Sequence, residues 1–207
     1  MVIVFTRAPV AGRVKTRLAA RLGAAGAARL HQRLTAAALG TALVSHCGTV
    51  ELHASARHAW LGSLARRAGV RLRLQKGEDL GERMARATRE ALRRAPFVLL
   101  VGADCPALGA RELRRAARWL AGGADAVLAP AHDGGYALLG LARPAQFLFR
   151  DMAWGSERVY AETAARLARR GWRLRPLAPV SDVDRPEDLA SVRWLRLASA
   201  ARRCARR

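Results

Sequence analysis

Positively charged residues are gathered in a short loop near the start of the chain, within FTRAPVAGRVKTRLAARLG at residues 5–23. Arg13, Lys15 and Arg17 follow a short apolar run and stand just before a helical pattern. Cations at the first turn of a helix oppose the helix dipole, so helix stability does not require them there. Basic side chains beside free backbone N–H groups at a helix N-terminus form an anion site. The loop therefore predicts phosphate binding, with a solvated basic loop as the alternative.

A carboxylate follows the apolar run FVLLV, in the sequence GADCPAL at residues 102–108. Asp104 would stand at the end of a buried strand, where it could hold Mg²⁺ or Mn²⁺ against a substrate phosphate. The alternative is that Asp104 caps the next helix. That helix is predicted to begin nearer Ala110, which favours the metal role. Cys105 is interpreted as a packing residue because the sequence positions no histidine as its base.

A pair of glycines interrupts two apolar runs in PAHDGGYALLGL, at residues 130–141. Asp-Gly between apolar runs is typical of a hairpin turn. A functional interpretation stays open, because Gly134 and Gly135 let backbone approach a ligand closely while Asp133 and Tyr136 supply polar groups.

Two other stretches carry chemistry beyond what their helices need. In QKGEDLGERM, Asp79 suits a helix start, but Arg83 has no such explanation. Trp154 and Ser156 precede a further helical pattern. Trp154 is either a core residue or a stacking surface for a sugar or base, and Ser156 suits the N-cap of that helix.

The elements that must position these residues alternate between strands and helices. Apolar repeats at helical spacing occur at 27–42, 79–94, 113–120 and 159–167. Alternation of this kind predicts a single α/β domain with a mostly parallel sheet covered on both faces. Ligands bind such sheets at the carboxyl ends of the strands. The predicted strands are 2–5, 50–54, 70–74, 97–101, 126–130, 137–141 and 173–177.

The composition bounds the functional class. The chain has 207 residues, of which 51% are hydrophobic, and no apolar run approaches the length that spans a bilayer. We expect no signal peptide, and the three widely spaced cysteines indicate a cytoplasmic setting. The net charge is +21, but the arginines are spread along predicted helices, which favours a solvated basic surface over a specific nucleic-acid face.

Six motifs in this order resemble a bacterial family of nucleotide-diphospho-sugar transferase-like proteins. They cover residues 2–195, and members are commonly assigned as glycosyltransferases of the GT-A fold, some linked to radical-SAM, selenium or arsenosugar genes. The resemblance implies a three-layer α/β/α domain over 1–197, followed by a basic tail at 198–207. The motifs are GRVKTRLAARLG, GEDLGERM, GADCPAL, PAHDGGYALLGL, WGS and DVDRPEDL.

The resemblance also implies roles for residues. Asp104 would be the metal-binding acid for Mg²⁺ or Mn²⁺, but the second acid of the usual Asp-x-Asp motif is absent, so Asp133 would help. Members of the group usually have lysine at the position of Arg7 and threonine at the position of Ser156. Asp133 would also act as general base or orient the acceptor. Nucleotide and phosphate binding fall to Arg7, Gly12, Arg13, Lys15, Arg17, Asp79 and Arg83, and acceptor or sugar binding to Gly134, Gly135, Tyr136 and Trp154.

Three functions follow as hypotheses. The first is a metal-dependent glycosyltransferase that uses a nucleoside-diphosphate sugar and a small-molecule acceptor. The second is a nucleotidyltransferase, because the basic loop and DVDRPEDL also resemble guanylyl- and cytidylyltransferases, which couple an NTP to a phosphorylated molecule. The third is a non-enzymatic binder of nucleic acid or anionic membrane, driven by the net charge of +21.

Overall fold

The computed structural model describes residues 1–192 and builds them around one seven-stranded sheet. The sheet order is β3-β2-β1-β4-β6-β5-β7, and only β6 runs against the others. The predicted boundary at residue 197 and the basic tail lie outside the described residues. The strands are β1 (Val2–Thr6), β2 (Val50–Ala54), β3 (Arg71–Leu74), β4 (Val98–Gly102), β5 (Ala126–Pro130), β6 (Tyr136–Leu141) and β7 (Leu174–Pro176).

Helices cover both faces of the sheet, so the predicted three-layer α/β/α architecture is confirmed. One apolar core packs α1, α2 and α4 against the sheet, and a second core packs α3 and α5 against the opposite face. Within residues 1–192, no helix is long and apolar enough to cross a bilayer. The helices are α1 (Thr16–Val44), α2 (Ala59–Ala68), α3 (Leu80–Leu92), α4 (Ala110–Ala121) and α5 (Val159–Arg169), with short 3₁₀ segments at Gln146–Leu148 and Pro186–Val192.

The reversed strand β6 is inserted between β4 and β5 and forms a hairpin with β5. The hairpin turn therefore lies at the carboxyl edge of the sheet, beside the end of β4. Gly140 permits this insertion, because a Cβ there would lie 3.0 Å from the Leu120 side chain and 3.1 Å from that of Leu99. The sequence interpretation of HDGG as a hairpin turn is confirmed.

The spacing of Asp184 and Glu187 is that of a capping box and predicts a last α-helix with Asp184 as its cap, but the structure differs. Residues Pro186–Val192 form a 3₁₀ segment. The backbone N–H groups of Asp184 and Arg185 donate to Asp188 Oδ2, at 3.0 and 2.7 Å. The predicted Asp184 cap is therefore replaced by Asp188, and the Asp184 carboxylate is available for contacts elsewhere.

A buried carboxylate stabilises the β2 side of the sheet. Glu51 is 1% exposed and accepts from Arg94 Nη1 at 2.7 Å, while its other oxygen lies 3.0 Å from His53 Nε2 and 3.2 Å from Arg73 Nε. Burial alone would raise the pKa of Glu51, but the hydrogen bonds from Arg94 and His53 outweigh it and hold the pKa at about 2.

Glu51→Gln should lower the free energy of unfolding by about 2 kcal/mol at pH 7, because it leaves charged donors unpaired. The folded pKa of about 2 is below the ordinary value of 4.5, so this stabilisation is present above pH 4.5 and is lost as the pH falls toward 2. Urea unfolding at pH 7, 5 and 3 measures it. Glu162→Gln, at an exposed arginine pair, should have a smaller effect, and a pH-independent difference for Glu51→Gln would contradict the assignment.

Candidate functional site

A cavity of about 540 Å³ opens at the carboxyl edge of the sheet. It runs from the ends of β2 and β3, across β1 and β4, to the β5–β6 hairpin. Its lining combines uncharged polar groups, two arginines, carboxylates and aromatic rings. The lining residues include Ser55 and Gln75 after β2 and β3, Arg7 and Asp104 after β1 and β4, His31 on α1, Leu80 and Arg83 on α3, Asp133 and Tyr136 at the hairpin, Trp154 and Ser156 before α5, and Asp182.

Asp104 lies on the cavity floor, just after β4. Lys15 Nζ is 3.0 Å and His31 Nδ1 is 3.5 Å from Asp104 Oδ1. This oxygen is shielded from solvent, yet the side chain as a whole is 44% exposed, so the exposed surface includes Oδ2. Burial would raise the pKa of Asp104, but His31 and the Lys15 ammonium hold it well below its usual range. Asp104 is therefore a carboxylate with one oxygen compensated and one open to the cavity.

The basic loop contacts the site through Lys15. Lys15 precedes α1 and is buried against Asp104, and its ammonium also lies 3.7 Å from Asp184 Oδ1. Arg17 donates to Asp184 Oδ2 at 2.6 Å. Gly12 and Arg13 are exposed, and neither they nor Lys15 and Arg17 are among the described residues that line the cavity.

Two arginines line the cavity, one just after β1 and one on α3. Arg7 is an exposed residue just after β1. Arg83, on α3, donates from Nε to Gly77 O at 2.9 Å and from Nη2 to Glu78 O at 3.0 Å, which fixes the loop before the helix. Asp79 is exposed and accepts from Glu82 N at 2.8 Å as the cap of α3.

The hairpin turn contributes a carboxylate to the same cavity. Asp133 is exposed and accepts from the Gly135 N–H at 2.9 Å, which orders the turn. Gly134 has φ 85° and packs against the backbone of Glu157, where a Cβ would overlap backbone atoms. The Tyr160 N–H, in the first turn of α5, donates to Gly134 O at 2.8 Å. Gly134 is therefore a packing requirement that locks the hairpin to α5.

Aromatic rings line the hairpin end of the cavity. Tyr136 lines the cavity, while its hydroxyl is shielded from solvent. Burial raises the pKa of this hydroxyl. Trp154 stacks on Phe149 with ring centroids 6.4 Å apart. It also packs over Gly81, where a Cβ would lie 2.6 Å from the indole nitrogen. Ser156 is not the α5 cap, because that position belongs to Arg158.

Asp182 and His31 also line the cavity, although sequence reasoning assigns neither a specific role there. Asp182 lines the cavity, and burial together with the nearby Asp133 carboxylate raises its pKa. His31 is buried on the inner face of α1 beside Leu34 and Thr35. In the sequence, His31 and Thr35 lie on an otherwise apolar helical face, and this pattern could have identified His31. Burial also raises the pKa of Cys105, which agrees with a packing role.

The family can now be stated. Residues 30–156 match the model of DUF2064, described as an uncharacterized protein conserved in bacteria. The chain belongs to this family. The matched range includes His31, Asp104 and the hairpin, while Lys15 and Asp182 lie outside it. No curated protein matches this DUF2064 chain.

Solved structures support the fold of this DUF2064 protein. A structure from Desulfovibrio desulfuricans G20, provisionally named a nucleotide-diphospho-sugar transferase, is 28% identical, with a TM-score of 0.81 over 89% of this chain and 81% of that one. The match confirms the predicted fold and the resemblance to that group of proteins.

Two more distant structures show the fold alone. A nucleotidyl transferase from Methanothermobacter thermautotrophicus, Mth528, is 18% identical, with a TM-score of 0.63 over 96% and 99% of the two chains. Rv0371c from Mycobacterium tuberculosis H37Rv, solved as a complex with manganese, is 18% identical, with a TM-score of 0.52 over 92% and 96%.

Gly134→Ala should destabilise the protein by at least about 3 kcal/mol, because the new methyl group overlaps the Glu157 backbone and the residue has positive φ. The matched control is Gly155→Ala, which has φ 84° but no atom within 4 Å of the new Cβ. The control should cost only the backbone strain, about 1 kcal/mol. Urea unfolding measures both, and equal losses would show that the hairpin does not depend on close packing against α5.

Proposed function

We propose that this protein is a transferase that binds a nucleoside-diphosphate sugar in the cavity and transfers its glycosyl group to a small-molecule acceptor. The observation that carries the proposal is the charge arrangement along the cavity. Arg7, Arg83 and the open oxygen of Asp104 line one cavity, together with uncharged polar groups, further carboxylates and aromatic rings. The 28% identity to the Desulfovibrio protein supports the same class of reaction.

A divalent cation fits the donor set on the cavity floor. Asp104 offers one open oxygen, and burial together with the nearby Asp133 carboxylate raises the pKa of Asp182. Within residues 1–192, no three acidic, histidine or cysteine side chains are close enough to hold a metal on their own. Mg²⁺ is commonly held by one or two carboxylates together with substrate phosphates. Asp104 would be its main ligand, with Asp133 or Asp182 as the second.

The side chains divide the work of glycosyl transfer. The diphosphate would lie against Arg7 and Arg83, whose positive charge stabilises it as a leaving group. A bound Mg²⁺ or Mn²⁺ would supply Lewis-acid stabilisation of the same charge. The nucleobase of the donor would then lie beside Ser55 and Gln75, which follow β2 and β3. The Tyr136 and Trp154 rings would contact the sugar, and Asp133 would accept a proton from the acceptor or orient it.

The lining favours glycosyl over nucleotidyl transfer. A phosphorylated acceptor would need cations at the hairpin end, because its charge must be balanced. Among the described residues that line the cavity, those of the β5–β6 hairpin and the segment of Asp182 include two carboxylates, Asp133 and Asp182, and no lysine or arginine. An uncharged acceptor, such as a hydroxyl compound, suits this end better. Nucleotidyl transfer and polyanion binding remain as alternative outcomes of the test.

A thermal-shift panel of NTPs and nucleoside-diphosphate sugars, each with and without Mn²⁺, tests the proposal. One sugar nucleotide at about 100 times its Kd should add about 2.7 kcal/mol of stability, and the Mn²⁺-dependent part should disappear in Asp104→Asn. The control is Asp151→Asn, an exposed residue at φ 48° that asparagine adopts readily.

The other outcomes separate the alternatives. Stabilisation by an NTP but by no sugar nucleotide would replace the proposal with nucleotidyl transfer. Equal stabilisation by every polyanion without Mn²⁺ would replace it with binding through the basic surface.

A further inference from the structure

The ammonium group of Lys15 occupies an unusual position for a loop lysine. Its side chain is only 5% exposed, and Nζ lies 3.0 Å from Asp104 Oδ1 and 3.7 Å from Asp184 Oδ1. A buried ammonium is stable only when carboxylates balance its charge. Lys15 therefore acts first as a partner of two carboxylates, instead of standing free to receive a phosphate.

The backbone of Lys15 adopts the conformation that this position requires. Its φ of 49° and ψ of 42° are left-handed, which is uncommon for a residue other than glycine. It stands directly before α1 and makes no side-chain capping bond to that helix. This conformation accompanies the burial of the side chain against Asp104 and Asp184.

His31 holds the other side of the same oxygen. The Arg7 carbonyl can only accept, so His31 Nε2 donates to it at 3.1 Å, and the ring lies 3.1 Å from Thr6 Oγ1. These contacts place Nδ1 toward Asp104 Oδ1 at 3.5 Å. Asp104 Oδ1 therefore lies 3.0 Å from Lys15 Nζ and 3.5 Å from His31 Nδ1, and the Lys15 ammonium supplies the positive charge that balances it.

The same ammonium ties a second acidic segment to the floor. The Val183 N–H donates to Asp104 O at 3.0 Å, and Asp184 is held by Lys15 and Arg17. Asp182, which precedes Val183, is therefore brought to the cavity by contacts that centre on Lys15 and Asp104. A dication at this floor meets both the attraction of the carboxylates and the repulsion of a nearby fixed ammonium.

We propose that Lys15 is an internal counter-ion of Asp104 that makes binding of the divalent cation depend on the substrate. The inference rests on the proposed function and specifies the order of binding at that site. With Lys15 in place, the carboxylates alone attract a dication weakly. The phosphates of a nucleotide add negative charge that Lys15 does not balance, so the cation is bound together with the nucleotide.

Titration of the protein with Mn²⁺ alone, followed by electron paramagnetic resonance of the free ion, tests this proposal. Lys15→Met and Lys15→Gln both remove the positive charge, and the glutamine keeps a hydrogen-bond donor for Asp104. Each should bind Mn²⁺ about tenfold more tightly than the wild-type protein, because the repulsion is removed. Circular dichroism identifies the variants that are folded.

Two controls assign the effect to Asp104. Arg143→Met removes a cation that pairs with Asp125 at 3.1 Å outside the cavity, and it should change Mn²⁺ affinity by less than about twofold. Combining Lys15→Met with Asp104→Asn should abolish the gain.

The proposal is overturned if either folded Lys15 variant binds Mn²⁺ no more tightly than wild type, or if the gain persists without the Asp104 charge. The titration contains no nucleotide, so a failure of the sugar-nucleotide assignment in the thermal-shift panel leaves this result unaffected.

Discussion

The buried contact between Lys15 and Asp104 is the interaction on which the charged half of the cavity depends. It balances one oxygen of Asp104 and leaves the other open, and it links the start of α1 to the end of β4. Through Asp184 it also holds the segment that carries Asp182, 167 residues further along the chain than Lys15. Burial of the Lys15 ammonium is costly, and that cost is offset only while its carboxylate partners are present.

The reversed strand β6 imposes the second constraint. Because β6 is inserted between β4 and β5, the hairpin turn faces the end of β4, and Asp133 reaches the same cavity as Asp104. Gly134 then fixes the hairpin against the start of α5. A fully parallel sheet would require a long crossover connection at this point. The short hairpin instead brings Asp133 and Tyr136 to the cavity that Trp154 also lines.

The sequence predicts the strands closely, because each is a short apolar run bounded by turn residues, and β2 and β5 have the predicted bounds. It predicts the hairpin of β5 and β6, but not the insertion of β6 between β4 and β5 or the role of Lys15. The charged residues nearest to Lys15 in the sequence are Arg13 and Arg17, which suggest phosphate binding, while its carboxylate partners lie far along the chain. His31 was missed because helical spacing identifies a buried face but does not tell which polar residue on it meets a distant carboxylate.

The most direct test is a crystal structure with Mn²⁺ and a nucleoside diphosphate, in which anomalous scattering locates the metal. The account predicts Mn²⁺ between the phosphates and the open oxygen of Asp104, with Lys15 still against Oδ1. A structure in which the Lys15 ammonium has moved onto a phosphate, or in which Mn²⁺ lies away from Asp104, would contradict it.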